Sequence, residues 1–219
     1  MKQEMKQILT HRRLISLAVA AIAILALALS ATPAGGTLEG WVAYRVNQGD
    51  TLQKLFGPRW RVVARLNRLD PQHLRAGAIL RVPLDLDRDY IPLPSFLKEA
   101  AEAEKFILIS LDQQFLGAYE WGALVKVFPV SSGQESYPTP TGRFSILEKD
   151  VDHKSNLYTL PSGEPFPMDF GLRFNGPYWI HTGPLPGWPD SHGCIRLMRE
   201  DARWLFEWSK VGTSTLVTD

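Results

Sequence analysis

The segment Ser191-His192-Gly193-Cys194-Ile195-Arg196 follows closely on Ile180-His181-Thr182-Gly183, and a loop rich in proline and glycine joins them. These segments hold the single cysteine of the 219 residues and two of the five histidines. A thiol attacks only as thiolate, so a nearby imidazole or backbone N–H group is needed to activate it. The loop is too broken to form a helix or a central strand. We therefore expect the two segments to lie side by side, with Cys194 as a nucleophile.

Other interpretations of these residues are a buried structural cysteine and a zinc site. A cysteine without further context is most often a small buried hydrophobic residue. A zinc site would use His181, His192 and Cys194, but His192 and Cys194 are only two residues apart. That spacing differs from the usual zinc-ligand patterns, and no further ligands are evident. Glycine beside the thiol instead favours catalysis, because it lets the backbone approach a substrate carbonyl.

His181, taken with the segment from Ser191 to Arg196, resembles the signature of the L,D-transpeptidases, the YkuD-type catalytic domain of bacterial cell-wall enzymes. The resemblance implies that Cys194 attacks the carbonyl of the third residue of a stem tetrapeptide and expels the terminal D-alanine. The thioester then acylates an amine, either of another stem peptide or of an anchored protein. His181 is the candidate base, and His192 is the second candidate or a proton shuttle. The family resemblance requires no cofactor and no metal.

Further site roles also follow from the resemblance. The N–H groups of Gly193 and Cys194 are expected to stabilise the oxyanion. Arg196 would hold a substrate carboxylate or form a structural ion pair, and Ser191 and Thr182 would bind substrate. The backbone carbonyl of Thr182 is a candidate for orienting His181. A thiolate–imidazolium pair is expected, which would lower the pKa of the thiol and raise the pKa of the imidazole.

The first thirty residues have the pattern of a targeting segment. Four basic residues precede an apolar run, Leu14–Leu29, that is interrupted by a single serine. Residues 1–30 therefore predict a signal peptide or a membrane anchor, with residues 14–31 as the anchoring stretch and 31–43 as a linker. The rest of the chain is expected outside the cytoplasmic membrane, in the periplasm or on the cell-wall side. The near balance of charge, +1 at pH 7, gives no support for a nucleic-acid partner.

Residues 44–84 predict a small strand–helix–helix–strand module. Asp50 or Thr51 is a natural N-cap, and apolar residues then recur at helical spacing. The order of elements and the Gly49-Asp50-Thr51-Leu52 segment resemble a LysM module, which binds peptidoglycan or chitin. The resemblance implies that Gly49, Asp50, Thr51 and Leu52, with a second loop at 69–76, contact N-acetylated glycan. A module that has lost its ligand is the alternative.

Residues 85–104 predict a connector with a short helix from Ser95, and residues 105–219 predict the catalytic domain. Short apolar runs at 106–111, 115–120, 124–130 and 144–148 indicate strands, and Arg199–Trp208 indicates an amphipathic helix. The loop Thr139-Pro140-Thr141-Gly142 also resembles the transpeptidase domain. The predicted fold class is α+β: an apolar targeting helix, a βααβ module and a mainly-β domain, built as a mixed sandwich or barrel.

Two other functions remain open at this stage. A peptidoglycan cysteine peptidase or L,D-carboxypeptidase would form the same acyl-enzyme and release it to water. A non-catalytic peptidoglycan-binding protein would depend on the LysM-like module alone, and the intact cysteine–histidine pair argues against it. The expected partners are therefore peptidoglycan stem peptides and glycan strands, with the membrane added if the N-terminal segment is retained.

Overall fold

The computed structural model describes residues 40–87 and 90–219. The predicted targeting segment, residues 1–30, and nearly all of the predicted linker lie outside the described residues. Among the helices that are described, none combines the length and the apolar character needed to cross a bilayer.

The chain divides into two compact units. The described part of the smaller unit comprises residues 40–63 and 75–87, and the larger comprises residues 64–74 and 90–219. The sequence places residues 44–84 in one module. In the structure, however, residues 64–74 belong to the large unit, because of contacts that the spacing of residues in the sequence does not reveal.

The small unit is a two-stranded antiparallel sheet with helical segments. Strand β1 (Trp41–Arg45) pairs with β2 (Ile79–Pro83), and helices α1 (Leu52–Phe56) and α2 (Trp60–Leu66) lie between them in the sequence. The hydroxyl of Thr51 accepts the backbone N–H of Lys54 and so caps α1, as the sequence predicts. The order strand–helix–helix–strand is therefore the expected one. Its apolar interior contains Val46, Leu52, Phe56, Val63, Leu80 and Val82.

The large unit contains eleven strands and one α-helix among the described residues. In chain order these are β3 (Phe106–Ser110), β4 (Phe115–Glu120), β5 (Ala123–Pro129), β6 (Gly142–Ser145), β7 (Glu148–Asp150), β8 (Lys154–Thr159), β9 (Pro165–Pro167), β10 (Gly171–Asn175), β11 (Tyr178–Thr182), β12 (Ile195–Leu197), α3 (Arg199–Trp208) and β13 (Ser214–Thr218). One sheet has the order β5-β4-β3-β13-β6, the second has β12-β11-β10-β7, and β8 and β9 form a separate hairpin.

The two larger sheets share one apolar core, so the large unit is a mixed β-sandwich. Both sheets contain one parallel pair, β3–β13 in the first and β11–β12 in the second. Helix α3 contributes to the same core through Ala202 and Leu205, the face that its periodicity predicts. The core residues from both sheets include Ile107, Ile109, Leu116, Phe128, Leu172, Phe174, Ile180, Ile195, Leu197 and Val217.

The predicted connector differs from its sequence-based description in two respects. The helix expected from Ser95 is limited to a single 3-10 turn, Lys98–Ala100. Leu93 and Ala100 are buried with the aromatic residues Phe106 and Phe115 in a second core of the large unit. Burial of two apolar side chains fixes this stretch more firmly than its charged and proline-rich composition suggests.

Candidate active site

Strand pairing brings the histidine and cysteine segments together. Strands β11 and β12 are parallel neighbours, with Ile180 opposite Ile195 and His181 opposite Arg196. Alternation along each strand puts the two isoleucines on the buried core face. His181 and Cys194 therefore project from the opposite face, where both line the same cavity. This confirms the expectation that the two segments lie side by side.

A backbone carbonyl orients the imidazole of His181. The ring Nδ1 lies 2.7 Å from the carbonyl oxygen of Thr182, as the sequence analysis anticipates. Because a carbonyl oxygen only accepts, Nδ1 carries the hydrogen and Nε2 keeps a free lone pair. His181 is thus held as the tautomer that can take a proton at Nε2.

Burial keeps His181 neutral. Loss of water around the ring lowers the pKa of His181 to about 4; the hydrogen bond to Thr182 works in the opposite direction, and the positive charge of Arg196 lowers the pKa further. His181 is therefore an unprotonated acceptor at neutral pH. Its conjugate acid, once formed, is a strong proton donor for a leaving group.

The thiol of Cys194 is also neutral in the free protein. Burial raises the pKa of Cys194, although a backbone hydrogen bond from Trp179 and the charge of Arg196 act in the opposite direction. Both pKa shifts are opposite to those expected for a thiolate–imidazolium pair, so burial favours the neutral forms of the two groups in the free protein. Desolvation is the largest cause of both pKa shifts, because each charge would have to form in a largely buried site.

A tight turn presents the thiol. The hydroxyl of Ser191 donates to the carbonyl of Cys194 at 2.6 Å and accepts the N–H of Gly193 at 3.0 Å. Gly193 has φ +104°, and a Cβ at this position would collide with the ring of Tyr178, so only glycine fits. Ser191 is therefore a structural residue of the turn. The Gly193 N–H already has a partner, which leaves the Cys194 N–H as the oxyanion donor of the expected pair.

The loop before β6 supports this turn from outside. Thr139, in the segment that resembles the transpeptidase loop, donates its hydroxyl to the carbonyl of Gly193 at 2.9 Å. The same hydroxyl accepts the N–H of Gly133 at 2.9 Å. Thr139 is buried, so the two bonds are shielded from water. The threonine thus fixes the backbone that carries the thiol.

Arg196 and Thr182, both predicted to bind substrate, have other surroundings in the structure. Arg196 lines the cavity, but its guanidinium lies 2.9 Å from the carboxylate of Asp190. The sequence predicts such an ion pair as the alternative to a bond between Arg196 and a substrate carboxylate. The hydroxyl of Thr182 is buried and makes no hydrogen bond within the described residues. Thr182 is half-buried and alternates with His181 along β11, so its side chain lies on the opposite face from the imidazole, and its role in substrate binding stays a prediction.

His192 has a different environment from His181. Its exposed ring lies between two tyrosines: Tyr137, and Tyr158 of the β8–β9 hairpin, each with a centroid distance of 4.6 Å. The contact with Tyr158 is stacked and that with Tyr137 is tilted. His192 therefore helps to form one wall of the cavity, whereas a hydrogen bond fixes the tautomer of His181.

The cavity has a volume of about 720 Å³, and aromatic, aliphatic and polar side chains line it together. Its walls add residues that the sequence analysis does not single out as site residues, namely Tyr137, His153, Tyr158, Phe166, Met168, Tyr178 and Trp179. His153 stacks on Trp179 with a centroid distance of 3.7 Å. The sequence signal that could have identified His153 is its spacing from Asp150, which lies three residues earlier.

Asp70 ties down the loop that joins the two motifs. Its carboxylate accepts the backbone N–H groups of Gln72 and Leu185, both at 2.8 Å, and lies 2.8 Å from Nδ1 of His73. Its own N–H donates to the carbonyl of Leu185 at 2.9 Å. The loop after His181 is thereby held to a segment more than one hundred residues earlier in the sequence.

Replacing Asp70 by alanine is expected to lower the free energy of unfolding by about 2 kcal/mol, because several partners of a largely buried carboxylate lose their acceptor. Turnover is expected to fall as the loop after His181 loosens. Urea unfolding measures the first effect. The matched control is Asp112→Ala, which removes an exposed carboxylate from a turn of the same unit. A stability change in Asp70→Ala no larger than in the control would contradict the role of Asp70.

The predicted glycan residues of the small unit are only partly available. Leu52 is fully buried, so its side chain stabilises the unit and cannot contact a glycan, contrary to the prediction. Asp50 accepts the hydroxyl of Tyr44 at 2.8 Å and the N–H of Asn47 at 2.7 Å, and Thr51 caps α1. Gly49 and Thr51 remain exposed.

The site thus places a cysteine directly before β12 beside a neutral, tautomer-fixed histidine on β11, an arrangement in which a histidine can activate a thiol as nucleophile. Residues 104–217 match the profile of the YkuD family, described as the L,D-transpeptidase catalytic domain, and the chain belongs to this family.

Curated relatives carry the same description. The chain is 33% identical over 105 residues to a Mycobacterium tuberculosis protein described as "Probable L,D-transpeptidase 3", a match that covers 42% of this chain and 39% of the relative. It is 26% identical over 182 residues to the YkuD protein of Bacillus licheniformis, covering 80% of this chain and 98% of that one. The chain thus spans less than half the length of the mycobacterial relative.

Solved structures include an L,D-transpeptidase from Stackebrandtia nassauensis. The match has a TM-score of 0.49 and 26% identity, and it covers 54% of this chain and 57% of that chain.

Proposed function

We propose that this chain is a cell-wall L,D-transpeptidase that uses Cys194 as its nucleophile. The observation that carries the proposal is the placement of Cys194 and the Nε2-accepting tautomer of His181 on one wall of a cavity of about 720 Å³. Such a volume suits a peptide rather than a single amino acid. Family membership supports the same chemistry.

In the first half-reaction the thiol proton moves to Nε2 of His181 as sulfur attacks the carbonyl of the third stem residue. Cys194 and His181 are both neutral before the reaction. Transfer of the proton during the attack is consistent with this, because no buried ion pair has to exist in the resting state. The N–H of Cys194 stabilises the oxyanion. His181 then gives its proton to the nitrogen of the departing D-alanine, and the thioester remains on Cys194.

In the second half-reaction an amine attacks the thioester, and the thiol is released with the stem peptide now joined to the amine. The acceptor is the side-chain amine of a second stem peptide, which gives a 3–3 cross-link, or an amine of an anchored protein. Hydrolysis by water at the same step would make the protein an L,D-carboxypeptidase.

The test is incubation with purified disaccharide-tetrapeptide, followed by mass spectrometry of the products. A transpeptidase releases alanine and forms dimers. Alanine release without dimers would indicate a carboxypeptidase, and an unchanged substrate would indicate a binding protein.

The small unit is proposed to bind glycan as a LysM module, and residues 1–30 to direct export to the periplasm or the cell-wall side of the membrane. Support for the first is the strand–helix–helix–strand order with an exposed loop at Gly49 and Thr51. Support for the second is the charge asymmetry around the apolar run Leu14–Leu29. Residues 14–31 would also anchor the protein if they are not cleaved.

Replacing both exposed glutamines beside this loop, Gln48 and Gln53, by alanine is expected to weaken co-sedimentation with insoluble peptidoglycan about fivefold, the effect of losing roughly one net hydrogen bond. Turnover of soluble stem peptides should stay at the parental level. The matched control, Gln113→Ala, changes an exposed glutamine in the turn between β3 and β4. Parental sedimentation of the double variant would remove the loop from the proposed wall-binding surface.

A further inference from the structure

The proposed reaction requires the removal of more than one proton from its acceptor. An alkyl amine with a pKa near 10.4 arrives as an ammonium ion at neutral pH, and an ammonium nitrogen has no lone pair for attack. The balanced step is ammonium plus thioester giving amide, thiol and one free proton. His181 can carry one proton from the attacking nitrogen to the departing sulfur. The other proton must leave the ammonium before attack, and it needs a different acceptor.

His153 lies in the same cavity and has the geometry of a base. It lies in the turn between β7 and β8, directly before β8, its ring stacks on Trp179, and its side chain is 16% exposed. Trp179 is the residue whose backbone hydrogen-bonds to Cys194. His153 also lies near enough to His181 for a charge on one ring to disfavour a charge on the other. His153 thus lies in the cavity where the thioester forms, and it is a different residue from the first base, His181.

Asp150 sets the tautomer of His153. Nδ1 of His153 lies 3.1 Å from a carboxylate oxygen of Asp150. An ionised carboxylate only accepts, so the hydrogen is on Nδ1 and the lone pair is on Nε2. The same carboxylate stabilises the imidazolium that forms when Nε2 takes a proton.

Other charged and titratable groups also lie around His153. Arg173 lies against the ring of Trp179, with its guanidinium carbon 6.0 Å from the centroid. Arg196 and His181 line the same cavity, as do the tyrosines Tyr137, Tyr158 and Tyr178. Asp150 alone supplies a negative charge in direct contact with the ring among the described residues. Asp150 is thus the charged group that orients the ring of His153.

We propose that His153, oriented by Asp150, is the base that takes a proton from the ammonium of the acceptor in the second half-reaction. The proposal rests on the transpeptidase function proposed above. Nε2 of His153 accepts one ammonium proton, and the neutral amine attacks the thioester carbonyl. His181 takes a second proton from the nitrogen and gives it to the sulfur as the C–S bond breaks. His153 then loses its proton to water, which restores both bases.

The test compares two acceptors in His153→Gln, with a disaccharide-tetrapeptide donor. A lysine-type amine is an ammonium ion at neutral pH, whereas methoxyamine is already neutral. We expect transfer to the lysine-type amine to fall about a hundredfold. Alanine release and transfer to methoxyamine should fall at least tenfold less than transfer to the lysine-type amine. Transfer to the lysine-type amine should recover as the pH is raised toward the pKa of that amine.

Two further variants complete the test. Asp152→Asn removes an exposed carboxylate from the same turn and should behave like the parent. Asp150→Asn should give a smaller loss that is again specific to the ammonium acceptor, and it replaces His153→Gln if the latter does not fold. Equal losses with both amines, or no loss with either, would overturn the role of His153. Failure of the parent protein to form amide with either amine would instead overturn the proposed transferase function.

Discussion

Replacing Cys194 by serine is expected to lower the rate of alanine release from a disaccharide-tetrapeptide by about 10⁴-fold or more. A serine hydroxyl is a far weaker nucleophile than a thiol, and loss of a nucleophile removes most of the catalysis in enzymes of this type. Burial raises the pKa of the Cys194 thiol, so the same site would not favour ionisation of a serine hydroxyl. The measurement is alanine release under single-turnover conditions.

The serine variant should keep the fold, because oxygen replaces sulfur without adding volume in a half-buried turn. Its thermal midpoint is therefore expected within a few degrees of the parent, and sedimentation with peptidoglycan should be unchanged. Residual turnover within tenfold of the parent would show that Cys194 is not the nucleophile.

Replacing His181 by glutamine is expected to lower turnover by about 10²–10⁴-fold, the usual contribution of a general base. The glutamine amide can still donate to the carbonyl of Thr182, but an amide cannot take the thiol proton as the Nε2 of His181 does. Turnover is measured with the same donor, and the folding control is the thermal midpoint of the variant.

The pH dependence of alkylation separates a neutral pair from an ion pair. The pKa of His181 is lowered to about 4 and that of Cys194 is raised, so both groups are neutral between these values. Alkylation of Cys194 by a small neutral reagent should rise with pH only as the thiol ionises, above the ordinary thiol pKa of about 8.5. His181→Gln should leave that midpoint in place. Reactivity that persists to low pH in the parent, and disappears in His181→Gln, would establish a thiolate–imidazolium pair instead.

Local patterns predicted much of the fold. The predicted bounds of α3, Arg199–Trp208, are the observed ones, because the acidic first turn and the apolar spacing lie within the segment itself. The strands at 106–110, 115–120 and 123–129 were also identified from their apolar runs. The proximity of His181 and Cys194 followed from the broken loop between them. These features depend on residues that are near one another in the sequence.

Features that depend on tertiary burial were not predicted. Asp70 and Leu185 are 115 residues apart, and no local pattern joins them. The pKa directions of His181 and Cys194 were reversed because desolvation depends on the folded surroundings. Leu52 was assigned to a glycan surface from its place in a motif, whereas its burial is a property of the packed unit.

The bonds of Asp70 also bear on where the chain can be divided. The sequence suggests a catalytic domain that begins at residue 105, which would remove the segment around Asp70. That segment holds the loop after His181 through both the carboxylate and the backbone. A protein that begins at residue 105 is therefore expected to retain the thiol but lose support for the loop between the two motifs.

The most direct test of the account is the intact mass of the protein during turnover. The parent is mixed with disaccharide-tetrapeptide in the absence of an acceptor, stopped with acid and analysed by mass spectrometry with peptide mapping. We predict an adduct equal to the donor minus alanine, located on Cys194, that disappears when an amine acceptor is added before the acid. Release of alanine from the parent with no adduct on Cys194 at any time point, or an adduct located on another residue, would contradict the account.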